Sequence, residues 1–288
     1  LEAVGGRVRR ARVRGPLGEV VEAEWRLLPP AAGEEGPTAV IEMAQAAGLE
    51  LVGGAEWNDP MRASTEGVGD LVVAALPSRP ERIVVAVGGS ATTDGGLGCV
   101  TALQPHSRLA GIELVVACDV DLTFVQAAEA FAPQKGATPA QVALLRRRLE
   151  RLAQLYQDDY GVDVRDLPGS GAAGGLAGGL AALGAELVPG FDVVAESVHL
   201  AERLAAADLV VTGEGFLDEH SFAGKAVGGV VDLAAAAGVP VLVVVGEAFD
   251  ASPVPTVSLV DRFGRERAVN ATLDAVEEVL LAHLRALA

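Results

Sequence analysis

Ile83 to Val87 is wholly apolar and stops at Gly88-Gly89-Ser90; Val241 to Val245 is built the same way and stops at Gly246-Glu247. A strand that is apolar on both faces must be covered on both faces, which is the condition of a parallel sheet between helices rather than of a half-exposed antiparallel one. Ile112 to Cys118 repeats the pattern and ends at Asp119, and Leu209 to Val211 leads into Thr212 and a Gly-Glu-Gly segment read as a turn. Each run is followed by residues of helical pattern. The chain is therefore expected to be an α/β protein of alternating strands and helices.

The rest of the composition agrees. Half of the 288 residues are hydrophobic but only 4% are aromatic, so the core must be built from Val, Leu and Ala. The formal net charge of −17 disfavours a nucleic acid or an anionic membrane as partner, because neither polyanion would be attracted. A nucleotide stays compatible if backbone N–H groups, a few lysines and a divalent cation meet its phosphates. Cys99 and Cys118 lack metal-ligand spacing and sit in apolar contexts, so both are expected as small buried hydrophobes of a reduced, cytoplasmic protein. No apolar run reaches the roughly 18–20 residues of a membrane span.

Residues 1–30 alternate loosely around Gly15-Pro16-Leu17-Gly18 and read as an antiparallel hairpin. Thr38 to Met43 reads as a strand, and Ala44 to Ala47 as a helical turn stopped by Gly48. Ser64 to Leu76 reads as a helix capped by Ser64 or Thr65. Ala140 to Tyr156 reads as a long amphipathic helix whose arginines (Arg146, Arg147, Arg148, Arg151) face solvent.

Three segments carry candidate chemistry. Gly88 to Gly96 places Ser90, Thr92, Thr93 and Asp94 among glycines: hydroxyls suit phosphate oxygens and Asp94 suits Mg²⁺, although a capped strand–helix turn would use the same residues. Gly169 to Gly175 is uncharged and can offer only backbone N–H groups or close packing. Asp208 to Lys225 holds Glu214 and Asp218 as metal ligands or bases and Lys225 as a phosphate clamp. Lys135, in Phe131 to Ala137, either reaches an anion or lies in a surface turn. Neither a Walker A loop nor an intact G-x-G-x-x-G fingerprint is present.

Taken together, Gly88 to Gly96, Ala117-Cys118-Asp119-Val120, Pro133 to Pro139, Pro168 to Gly175, Thr38 to Ala44 and Thr212-Gly213-Glu214-Gly215…Asp218…Gly224-Lys225 resemble the bacterial glycerate kinase family, the two-domain α/β type. The resemblance implies a flavodoxin-like (Rossmann-like) parallel-sheet domain, approximately 81–104 and 191–288, a second α/β domain, approximately 1–80 and 105–190, and a cleft between them. It implies phosphorylation of D-glycerate to phosphoglycerate with ATP and Mg²⁺ in the cytoplasm, and it allows a homodimer. The family's opening strand and Asp-rich loops would precede Leu1, so the chain is expected to lack the family's N-terminal segment. Phe216 stands where the family usually has Arg or Lys.

On that resemblance the catalytic set is Asp94, Glu214, Asp218 and Lys225, with Asp94 and Glu214 near Mg²⁺. Gly88, Gly89, Ser90, Thr92, Thr93, Gly169, Ser170, Gly171, Gly174 and Lys135 would bind the substrates. Two other readings stay open: a Rossmann-type oxidoreductase holding a dinucleotide, and a catalytically silent ligand-binding homologue.

Overall fold

The computed structural model describes residues 5–30, 36–218, 221–222 and 226–287. Contacts divide the chain into two units, Leu1–Gly190 and Phe191–Ala288. Both are α/β with parallel-strand sheets.

In the first unit the elements follow in the order β1 (Arg7–Arg14), β2 (Val20–Leu28), β3 (Thr38–Glu42), α1 (Ala44–Ala47), α2 (Glu66–Ala75), β4 (Arg82–Ala86), α3 (Leu97–Ala102), β5 (Glu113–Ala117), α4 (Gln126–Phe131), α5 (Pro139–Tyr160), α6 (Ala172–Ala182) and β6 (Glu186–Val188). The six strands form one sheet in sequence order. β1, β2 and β3 pair antiparallel, and β3 through β6 pair parallel. The hairpin thus extends the parallel sheet. Its register sets Arg10 opposite Glu24 and Arg12 opposite Glu22, while Val13, Ala23 and Trp25 turn into the core.

Residues 81–104, expected beside the C-terminal stretch, belong to this first unit instead. β4 is hydrogen-bonded between β3 and β5, and its Ile83, Val84 and Val85 are buried there. An apolar run alone does not say which sheet will receive it.

Helices pack through two clusters, the first against the sheet and the second among themselves. One joins Ala39, Ile41, Val68, Leu71, Ile83, Val85 and Leu176. The other joins Phe124 of the β5–α4 connection to Leu145, Leu149, Leu152 and Tyr156 of α5. Burial of each such leucine contributes about 2 kcal/mol. α5 starts in a capping box: Gln141 Oε1 accepts from the Thr138 N–H at 2.8 Å while Thr138 Oγ1 accepts from the Gln141 N–H. Its arginines face solvent as the pattern requires.

In the second unit come α7 (Gly190–Ser197), α8 (Leu200–Ala205), β7 (Val210–Leu217), α9 (Ala226–Ala237), β8 (Val241–Ala248), β9 (Thr256–Ser258), α10 (Leu259–Phe263), α11 (Arg265–Asn270) and α12 (Thr272–Leu287). The three strands are parallel in the order β7-β8-β9. β8 shows why its apolar run was needed. Leu242 and Val244 pack on the helices that follow it, and Val243 and Val245 pack on α9.

β7 does not stop at Thr212. It runs through Gly213-Glu214-Gly215 to Leu217, paired with β8 as far as Leu217 opposite Ala248. A Cβ at Gly213 would lie 1.9 Å from the Val244 carbonyl oxygen, so glycine is needed there for close strand approach, not for a turn. No helix of the described residues is long and apolar enough to cross a membrane.

Candidate active site

After β4 the chain passes through Gly88, Gly89 and Ser90, with Gly89 at φ +62°. This bend is fixed to the end of α1 by backbone bonds from Leu49 to the Gly89 carbonyl (2.8 Å) and from Ala91 to the Ala47 carbonyl (2.9 Å). The N–H groups of Gly88, Gly89 and Ser90 themselves have no partner among the described residues. All three residues line a cavity of about 340 Å³. Successive unpaired N–H groups on a glycine bend are a standard way to meet an anion.

Lys135 closes the same cavity. It lies in a short 3-10 turn (Pro133–Lys135) after α4, is 3% exposed, and donates from Nζ to the Thr92 carbonyl oxygen at 2.6 Å. Its Nζ stands 5.9 Å from the centroid of the Phe131 ring. Desolvation pushes the amine down to about 7, with Asp94 acting weakly in the other direction. The two readings of Lys135 are thereby decided in favour of a buried residue facing a cavity.

Asn58, which the sequence did not single out, ties these pieces together. Its Nδ2 donates to the Ala91 carbonyl and to the Lys135 carbonyl, each at 2.9 Å. Asn58 Oδ1, Thr92 Oγ1 and Thr93 Oγ1 are buried without a partner among the described residues. Such a cluster of unsatisfied polar atoms calls for a ligand or an ordered water.

Asp94 has another place than expected. Its Oδ2 accepts from Thr65 N (2.8 Å), Thr65 Oγ1 (2.8 Å) and Gly98 N (3.2 Å), and its Oδ1 accepts from Gly96 N (3.1 Å). The carboxylate thus pins the start of α2 to the start of α3. Burial pushes its carboxyl group up, against the pull of those four donors. With both oxygens engaged by the fold, Asp94 acts as a structural pin.

Gly169, Ser170 and Gly171 are likewise engaged internally. Ser170 Oγ donates to the carbonyls of Val164 (2.9 Å) and Leu167 (2.6 Å), and the N–H groups of Ser170, Gly171 and Ala172 bond to Leu167, Leu122 and Gly169. Ser170 through Ala172 thus spend their N–H groups within the fold. Ala173, Gly174 and Gly175 are left-handed in the first turn of α6, and Ala173 lines the cavity. Gly174 fits because a Cβ there would meet the Thr92 carbonyl at 2.0 Å.

Cys99 is buried as expected, but Cys118 is only partly buried and lines the cavity beside Asp119; burial raises both thiols. Asp119 Oδ1 accepts from Gly190 N at 2.7 Å.

In the second unit, Glu214 lies on β7 with Oε1 buried and unpartnered among the described residues. Asp218 ends the strand, its N–H donating to Ser221 Oγ at 2.9 Å. Lys225 lies outside the described residues. Among those described, no group of three His, Cys, Asp or Glu side chains lies close enough to hold a metal ion. Glu214, with a carboxylate oxygen unpartnered among the described residues, is the type of ligand of which Mg²⁺ takes one or two.

Comparison with known proteins places these residues in a family. The model of the Glycerate kinase family matches residues 1–106 and 104–261. An uncharacterized protein of Mycobacterium bovis is 43% identical over 250 residues, 84% of this chain and 64% of that protein, so the chain spans less than two thirds of this relative's length. The glycerate 2-kinase of Escherichia coli is 38% identical over 282 residues, 87% of this chain and 72% of the enzyme. A crystal structure of a Salmonella typhimurium LT2 protein assigned as glycerate kinase 2 superposes with a TM-score of 0.76 at 35% identity, covering 96% of this chain and 85% of that one. With its sequence matched through residue 261 and its fold shared, the chain belongs to the glycerate kinase family.

Proposed function

We propose that this chain acts as a glycerate kinase, which transfers the γ-phosphoryl group of ATP to a hydroxyl of D-glycerate and uses Mg²⁺. The observation that carries this reading is the meeting, in one cavity, of three unpaired backbone N–H groups (Gly88, Gly89, Ser90) with the buried amine of Lys135. That is an anion site built into a rigid bend. Relatives that match 85% and 87% of this chain are named glycerate kinase and glycerate 2-kinase.

Phosphoryl transfer of this kind needs positioning and charge stabilisation more than covalent participation by the protein. Here Gly88 to Ser90 and Lys135 hold an anionic group still, and Asn58 keeps the two segments in register through its pair of bonds. Apolar residues of the cavity wall, among them Leu49 and Val87, exclude water from one side. Glu214 would hold Mg²⁺, which when bound offsets the charge of the phosphates. Asp94 serves by fixing the loop that carries Thr92 and Thr93.

The test is transfer of phosphate from ATP to D-glycerate, followed by phosphorus NMR with and without Mg²⁺. Absence of transfer by the whole natural protein would remove the kinase reading and leave the silent-homologue one. The dinucleotide oxidoreductase reading loses its support, because Gly213-Glu214-Gly215 is strand and gives no pyrophosphate turn.

A further inference from the structure

The cavity between β4, β5 and the Lys135 turn is more selective than a general anion site. Among the described residues, two charged side chains line it, Lys135 and Asp119, one of each sign. A nucleoside triphosphate would bring several negative charges into a space whose own charge is balanced. A short hydroxy acid brings one negative charge and one or two hydroxyls. At about 340 Å³ the cavity also stands near the lower end of the range of ligand pockets, roughly 300–1,000 Å³.

The available hydrogen bonds agree with this. An ammonium group has three protons; Lys135 gives one to the Thr92 carbonyl and has no other acceptor among the described residues. The N–H groups of Gly88, Gly89 and Ser90 add donors. On the other side, Asp119 uses Oδ1 for the Gly190 N–H, and Oδ2 is the acceptor left to the cavity. Such a site has donors for a carboxylate and an acceptor for a hydroxyl.

We infer that this cavity is the subsite for the organic-acid substrate: Lys135 and the Gly88–Ser90 N–H groups hold its carboxylate, and Asp119 accepts the hydrogen of a hydroxyl. The nucleotide is held elsewhere. The inference rests on the glycerate kinase reading and assigns that reading's acceptor to one place. Asp119 becomes a specificity residue that the catalytic set above did not include. The low-lying amine suits this role, since burial disfavours its charge and a bound carboxylate favours it.

Titration calorimetry tests this on the protein and on Lys135→Met and Asp119→Asn, with D-glycerate, lactate and glycerol, and separately with a non-hydrolysable ATP analogue plus Mg²⁺. We expect glycerate to bind the unmodified protein better than lactate, and glycerol not to bind. Lys135→Met should weaken glycerate by about 100-fold, the usual cost of removing one partner of a buried charge pair, while the ATP analogue changes by less than about threefold. Asp119→Asn, which keeps size and so the fold, should narrow the preference for glycerate over lactate. Circular dichroism checks that each variant is folded, and an unfolded Lys135→Met leaves Asp119→Asn to decide. If the substitutions weaken the ATP analogue and spare glycerate, the assignment is overturned and the kinase reading stands. If the unmodified protein neither binds nor phosphorylates glycerate, both are overturned.

Discussion

The Nζ of Lys135 donates to the carbonyl oxygen of Thr92 at 2.6 Å, 43 residues earlier in the chain. This bond joins the turn after α4 to the loop after β4, and it sets an amine where solvent cannot help to keep it charged.

Stability should therefore follow pH in a particular direction. The amine sits near 7 in the folded protein against 10.5 when unburied, so between those values the unfolded chain binds the extra proton. Stability then rises as pH increases from 7 toward 10.5, and the cost of the buried charge is fully present below 7. Urea midpoints at pH 6.5 and 9 should show the unmodified protein gaining on Lys135→Met. Parallel profiles would mean that Lys135 stays charged.

Asp94→Asn should act on the fold. The amide sets N–H groups against the N–H donors of Thr65, Gly96 and Gly98, at a cost of about 1–3 kcal/mol. Thermal melting should drop, while the Mg²⁺ concentration for half-maximal rate stays unchanged. A rise in that concentration without a drop in melting would return Asp94 to the metal.

Glu214→Gln should leave melting nearly unchanged and lower kcat by about 100-fold, the scale for losing one charge-stabilising group. Its Oε1 has no partner among the described residues whose loss would disturb β7. Rates measured across a Mg²⁺ series check this, and an unaffected kcat removes Glu214 from the catalytic set.

Gly174→Ala should lower stability by more than about 2 kcal/mol, because a left-handed backbone and a blocked Cβ act together. At φ +68° the new methyl would press on the Thr92 carbonyl, the acceptor of Lys135. Glycerate turnover should fall with it, as a melting curve beside an activity assay would show.

Much of this architecture was legible in the sequence, for physical reasons. The runs at 83–87, 112–118 and 241–245 had to be central strands, the hairpin was marked by its Gly-Pro-Leu-Gly turn, and α5 by its apolar spacing. What stayed hidden depends on chain segments far apart. Gly213 looks like a turn residue until Val244 is seen against it. Asp94 looks like a ligand until Thr65, 29 residues away, is found on it. Asn58 gave no signal, since its partners lie 33 and 77 residues off. β6, three residues long, offers too little pattern to read.

The pin at Asp94 also bears on what draws an anion in. The start of a helix carries partial positive charge, and α2 and α3 bring two such starts to one carboxylate through Thr65, Gly96 and Gly98. Their pull is neutralised inside the protein before any substrate arrives. The attraction felt at the cavity comes instead from three peptide N–H groups and an amine whose own charge depends on its guest, so binding the anion and charging the amine go together.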